Sequence, residues 1–90
     1  MSDVEIRVES IVGTCDAGFQ PGERFYVRNK GFMALECARP MCLELLGAIS
    51  SHCMAMATGG SFPWEDEEGS IRACCPDCLN LLTVSLRRVE

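Results

Sequence analysis

Clusters of basic residues are scarce in this chain of 90 residues. Lysine occurs once, as Lys30, and Arg87-Arg88 is the only pair of adjacent cations in a sequence whose net charge is -5. Nucleic-acid binding requires cations that neutralise phosphates and release counterions, so the composition argues against a nucleic-acid partner. The same negative charge argues against an acidic protein surface as the partner.

The sequence also lacks a long apolar run. No stretch approaches the roughly 18 apolar residues that a membrane-spanning helix needs, so no membrane partner is expected. The first residues, Met1 to Glu5, have neither the basic nor the apolar region of a secretory signal. We therefore expect a cytoplasmic protein.

Cysteine is the residue type in excess, with seven in 90 residues. Thiols stay reduced in the cytoplasm and an odd number cannot pair completely, so a disulfide framework is not expected. A chain of this length forms one domain, residues 1–90, whose small core a bound metal would help to stabilise. Metal ligands, redox groups and core residues remain as interpretations of the cysteines.

Alternation of apolar and polar residues predicts several short strands. Val4, Ile6 and Val8 alternate with charged residues, which is typical of a strand with one solvent-facing side. By the same reasoning we predict strands over residues 4–13, 23–28, 71–74 and 82–86, with segments rich in turn residues between them.

One helix is predicted among these strands. Its apolar positions recur at spacings of three and four and form one stripe: Cys42, Leu45, Leu46, Ile49, Cys53 and Met56. Pro40 suits the first turn and Gly59-Gly60 suits the end, so the helix is expected over about residues 40–57. The order of the elements predicts an α+β fold, a small antiparallel sheet with this helix packed across it.

Cys75 and Cys78 form a C-x-x-C unit. This spacing lets two thiolates bind one tetrahedral ion, at about 2.3 Å from zinc, and iron–sulfur centres use the same ligand. One such unit supplies half of a site. Cys42 is a further candidate because the dipole at a helix start favours a thiolate, and Cys15 is another because it lies in a loop rich in glycine and proline.

Other residues have plainer interpretations. Cys53 lies about 16 Å along the helix axis from Cys42, so the two cannot share one ion, and Cys53 is expected in the core. His52 is expected to be exposed or at the rim of the apolar stripe, with a metal ligand as the alternative. Trp64 is expected to close the core, with a pocket-lining position as the alternative. Residues 65–68 are acidic but lack the ligand spacing of a calcium loop, so a solvated loop is expected.

Four segments of the chain carry a resemblance to a known family. They are Cys-Asp-Ala-Gly-Phe-Gln-Pro-Gly-Glu at 15–23, Cys42 at the helix start, Gly-Gly-Ser-Phe-Pro-Trp at 59–64 and Cys-Pro-Asp at 75–77. In this order they resemble a family of small, uncharacterised proteins of similar length, found largely in anaerobic bacteria and archaea. The resemblance covers most of the chain, and Gly-Gly-x-x-Pro-Trp is its most specific part.

The resemblance implies that Cys15, Cys42 and Cys75 form a group, although it brings no established activity. Asp16 and Leu43 stand where members of the family usually have proline, and Phe19 stands where they have histidine. If that histidine is a ligand or a base, its role is lost or replaced here. The other four cysteines are additional to the family pattern, and Cys37 and Cys74 have no assigned role.

Three hypotheses of function follow. In the first, Cys15, Cys42 and Cys75 converge at one end of the sheet and, with Cys78, bind a zinc ion or an iron–sulfur centre. In the second, the chain is a non-enzymatic structural or interaction module with inert buried cysteines and a protein partner. The third, a thiol redox protein, is disfavoured because the C-x-x-C pair precedes a predicted strand. No catalytic dyad or nucleotide motif is visible, so a conventional enzyme is not expected.

Overall fold

The computed structural model describes residues 2–13, 18–38, 40–74 and 81–89. These contain one helix and five strands: β1 (Asp3–Val12), β2 (Arg24–Asn29), β3 (Met33–Glu36), α1 (Leu43–Ala57), β4 (Ile71–Cys74) and β5 (Leu81–Val89). The strands form one sheet in the order β3-β2-β1-β5-β4, and all neighbours are antiparallel. The predicted α+β fold, with an antiparallel sheet and one helix packed across it, is confirmed.

The strand β3 was not predicted. Its sequence, Met-Ala-Leu-Glu, has only four residues and contains good helix formers, so local preference did not indicate a strand. The segment is a strand because it pairs with β2, where Tyr26 lies opposite Glu36 and Asn29 lies opposite Met33. Gly31, with φ of +84°, makes the tight turn between the two strands without strain.

The helix α1 begins slightly later than predicted. Cys42 is its N-cap, with extended backbone angles of φ -70° and ψ 124°, and the first helical residue is Leu43. At the other end Gly59 has φ of +95°, and the Gly60 N–H donates to the Ala55 carbonyl at 2.7 Å. The predicted glycine termination of the helix is confirmed.

The core lies between α1 and one face of the sheet. The buried apolar side chains of the strands are Val4, Ile6, Val8, Phe25, Val27, Ile71, Leu82, Val84 and Leu86. They meet the buried stripe of the helix: Leu45, Ile49, Cys53, Met56 and Ala57. Because α1 is the only helix of the described residues, the opposite face of the sheet has no helix over it there.

The helix runs antiparallel to β1, and this fixes which end of the sheet it starts from. The Ala57 carbonyl accepts hydrogen bonds from the Ser2 N–H at 3.1 Å and from Asn29 Nδ2 at 3.2 Å. The end of α1 therefore lies beside the beginning of β1 and the end of β2. A helix of 15 residues is about 22 Å long, so its start lies toward the opposite end of the sheet.

Candidate metal centre

One end of the sheet collects the chain segments that carry most of the cysteines. The register pairs Val12 with Leu81 and Cys74 with Thr83, so β1 and β4 end where β5 begins. Helix α1 begins toward that side. We call this the cysteine end, defined by Gly13, Cys42, Cys74 and Leu81.

Cys42 is the described member of the predicted ligand set. It is partly buried against the core, and its carbonyl accepts the first helical hydrogen bond, from the Leu46 N–H at 3.0 Å. Its side chain makes no capping hydrogen bond. The positive end of the helix dipole lies at this position, which favours nearby negative charge. The prediction that a cysteine stands at the start of the helix is confirmed.

The other predicted ligands, Cys15, Cys75 and Cys78, lie outside the described residues. In the sequence, Cys15 follows Gly13 by two residues, Cys75 follows Cys74 directly and Cys78 precedes Leu81 by three. These three flanking residues all belong to the cysteine end. Their role as ligands stays a prediction.

The described cysteines do not form a site by themselves. Within residues 2–13, 18–38, 40–74 and 81–89, no three His, Cys, Asp or Glu side chains are arranged to hold a metal ion. Cys74 is exposed, and its sulfur lies 3.8 Å from the Thr83 hydroxyl. Cys37 is half-buried and lines a cavity of about 190 Å³ beside Phe19 and Arg24. A metal centre at this end would need thiols from residues 14–17 and 75–80.

Cys53 lies in the core, as predicted. Its side chain is 2% exposed, and desolvation raises the pKa of its thiol to about 12. The neutral thiol is therefore the form present at physiological pH, and it packs as a small apolar group.

The segment after the helix differs from its predicted structure. Trp64, which was expected in the core, is 61% exposed, and that prediction is wrong. Its ring stacks on Phe62 with centroids 4.9 Å apart, and Phe62 in turn lies 5.4 Å from the His52 ring. His52 is half-buried, as expected for a rim position, and its Nδ1 is buried with no hydrogen-bond partner among the described residues. The aromatic side chains pack on each other outside the main core.

The acidic segment 65–68 is a loop whose residues 66–68 are exposed, as expected, but Glu65 is half-buried and Asp66 orders the turn. Glu65 forms an ion pair with Arg88 at 2.8 Å and also accepts the Phe62 N–H. These interactions, led by the Arg88 hydrogen bond, lower the pKa of Glu65 to about 2. Asp66 accepts the N–H groups of Glu68 and Ser70 at 2.9 Å. The two carboxylates hold the turn together and pin it to β5.

Sequence reasoning missed the charged outer face of the sheet. Arginines on separate strands come together there only through the strand register, so no basic cluster is visible along the chain. One signal was available in the sequence. In strands where apolar and polar residues alternate, the polar positions share one face, and these positions include Arg7, Arg24, Arg72 and Arg87.

Comparison with protein-family models, with curated proteins and with solved structures found no match to this chain. The resemblance to the small-protein family therefore stays a prediction. Among the described residues, no helix is long and apolar enough to cross a membrane.

Proposed function

We propose that this protein binds a zinc ion or an iron–sulfur centre through Cys15, Cys42, Cys75 and Cys78. The observation that supports the proposal is that the strand termini flanking the other three thiols meet at one end of the sheet, the end toward which α1 begins at Cys42. Four thiolates suit a tetrahedral zinc or an iron–sulfur cluster better than a hard cation.

The proposal requires that the protein reside in a reducing compartment. Thiolates act as ligands only where they are not oxidised, which is the condition of the cytoplasm. Cys15, Cys42 and Cys75 are also the positions on which the family resemblance depends. The redox alternative has less support, because β5 begins at Leu81, three residues after Cys78, where a thioredoxin-like site would continue into a helix.

The test is purification in the absence of oxygen, followed by elemental analysis and an absorption spectrum. We expect zinc or iron in stoichiometric amount, and for an iron–sulfur centre a visible absorption band that oxygen bleaches. The variants Cys42→Ser and Cys75→Ser should lose most of the metal. Cys74→Ser is the matched control, because Cys74 is an exposed neighbour of Cys75 in the sequence.

Two results would contradict the proposal. One is the absence of stoichiometric zinc or iron from protein prepared both with and without oxygen. The other is a loss of metal in Cys74→Ser as large as in Cys75→Ser, with both variants folded by circular dichroism. In that case the thiol at Cys75 has no special role, and the interaction module with inert cysteines becomes the better interpretation.

A further inference from the structure

The outer face of the sheet carries a row of arginines that crosses it from strand to strand. The register places Arg24 of β2 opposite Arg7 of β1, Arg7 opposite Ser85 of β5, and Ser85 opposite Arg72 of β4. Three arginines and one serine therefore share one line perpendicular to the strands. We call these four residues the arginine row.

The arginine row borders one open cavity of about 310 Å³. Neighbouring strands are about 4.8 Å apart, so the Cα atoms of Arg7 and Arg72 are separated by about 10 Å. Arginine side chains are long enough to extend toward each other across that distance, and both side chains border this cavity. The volume is at the lower end of the range for small-molecule sites.

Two of the three arginines of the row make no ion pair with a described residue. These are Arg24 and Arg72, whereas Arg7 pairs with Glu9 at 3.7 Å, near the long limit for such a pair. The pKa of Glu5 is lowered first by its hydrogen bond from Arg87 and also by the charge of Arg24. Like charges directly opposite in a sheet are destabilising. Arg7 and Arg24 form such a pair in a protein whose net charge is -5.

The acidic residues around the cavity are already engaged. Glu5 accepts from Arg87 Nε at 2.9 Å and from the Tyr26 hydroxyl at 3.1 Å, and these bonds lower the pKa of Glu5. Glu9 accepts the Ser85 hydroxyl at 2.9 Å, and Asp66 is held by backbone N–H groups of its own turn. Glu68 also lines the cavity, so its described lining holds four carboxylates and four arginines.

We propose that the arginine row is a binding site for a small dianion, a phosphate group or a dicarboxylate. Guanidinium groups bind such oxyanions through pairs of parallel N–H donors, and an anion between Arg7, Arg24 and Arg72 would remove their mutual repulsion. The site lies on the face opposite α1, whereas Cys42, the described residue of the proposed metal centre, packs against the core on the α1 side.

Isothermal titration with inorganic phosphate and, separately, with succinate tests this proposal. We expect saturable one-to-one binding of at least one of them, weakened about tenfold by Arg24→Gln and by Arg72→Gln, the usual loss for one charged hydrogen-bond partner. Both side chains are exposed, so both variants should keep the fold, which circular dichroism would verify. Lys30→Gln removes the same charge outside the row and should leave the affinity unchanged.

The two titrants also identify the source of the anion. Saturation by phosphate alone indicates a phosphorylated ligand, saturation by succinate alone indicates a dicarboxylate, and saturation by both supports a general dianion site. The proposal is overturned if neither titrant saturates the protein at millimolar concentration. It is also overturned if Lys30→Gln weakens binding as much as Arg24→Gln does, because the effect would then be one of net charge.

Discussion

Phe19 is expected to anchor the loop between β1 and β2, and its truncation to alanine tests that role. The side chain is 1% exposed, and its ring centroid lies 5.7 Å from that of Phe25 in the core. Removing a buried phenylalanine side chain costs about 3–5 kcal/mol. Since the cavity lined by Phe19 and Cys37 allows some relaxation, we expect a value near the lower limit, about 3 kcal/mol.

That loss is large relative to the stability of a domain of 90 residues, about 5–14 kcal/mol. For a protein of this size it should lower Tm by at least about 12 °C. Phe32→Ala is the matched control, because Phe32 is 68% exposed, and it should change the stability by no more than about 0.5 kcal/mol. Urea unfolding followed by circular dichroism measures both variants. If the two midpoints fall equally, Phe19 is not an anchor and the reasoning fails.

Two other predictions concern ionisable side chains. Because the folded state lowers the pKa of Glu65 from 4.5 to about 2, its ion pair with Arg88 stabilises the protein fully above pH 4.5, and this contribution is lost as the pH falls toward 2. The stability difference between wild type and Glu65→Gln, measured by urea unfolding, should therefore shrink over that window, and a difference independent of pH would refute the assignment. Iodoacetamide at pH 8 should label Cys74 at least tenfold faster than Cys53, whose pKa is about 12, as followed by mass spectrometry; equal rates would show that Cys53 is accessible.

Sequence periodicity predicted the fold well where each strand has one buried face. In β1 and β5 the apolar residues alternate with polar ones because only one side of the sheet is covered by α1. It failed for Met33–Glu36, a short edge strand whose residues become a strand only by pairing with β2. Such a strand is stabilised by hydrogen bonds to another strand, and the residues of the segment itself do not indicate that pairing.

The side chains after the helix were harder to predict than the helix itself. Large aromatic residues are often buried, which favours a core position for Trp64, but the core instead consists of aliphatic side chains, Cys53, Phe19 and Phe25. Glu65 lies in an acidic run that is typical of a solvated loop. Its ion pair with Arg88 forms because the fold brings the end of β5 next to this loop. The residues around Glu65 do not indicate that contact.

The described residues of the two proposed sites lie on opposite sides of the sheet. Cys42 lies on the side covered by α1 and packs against the core, whereas Arg24 and Arg72 border a cavity on the other face. Sites that share no side-chain partner usually contribute additively to stability and binding. Loss of metal in Cys42→Ser should therefore leave anion binding intact, and Arg24→Gln should keep its metal. A variant at either site that abolished both activities would indicate that the sheet itself had been disrupted.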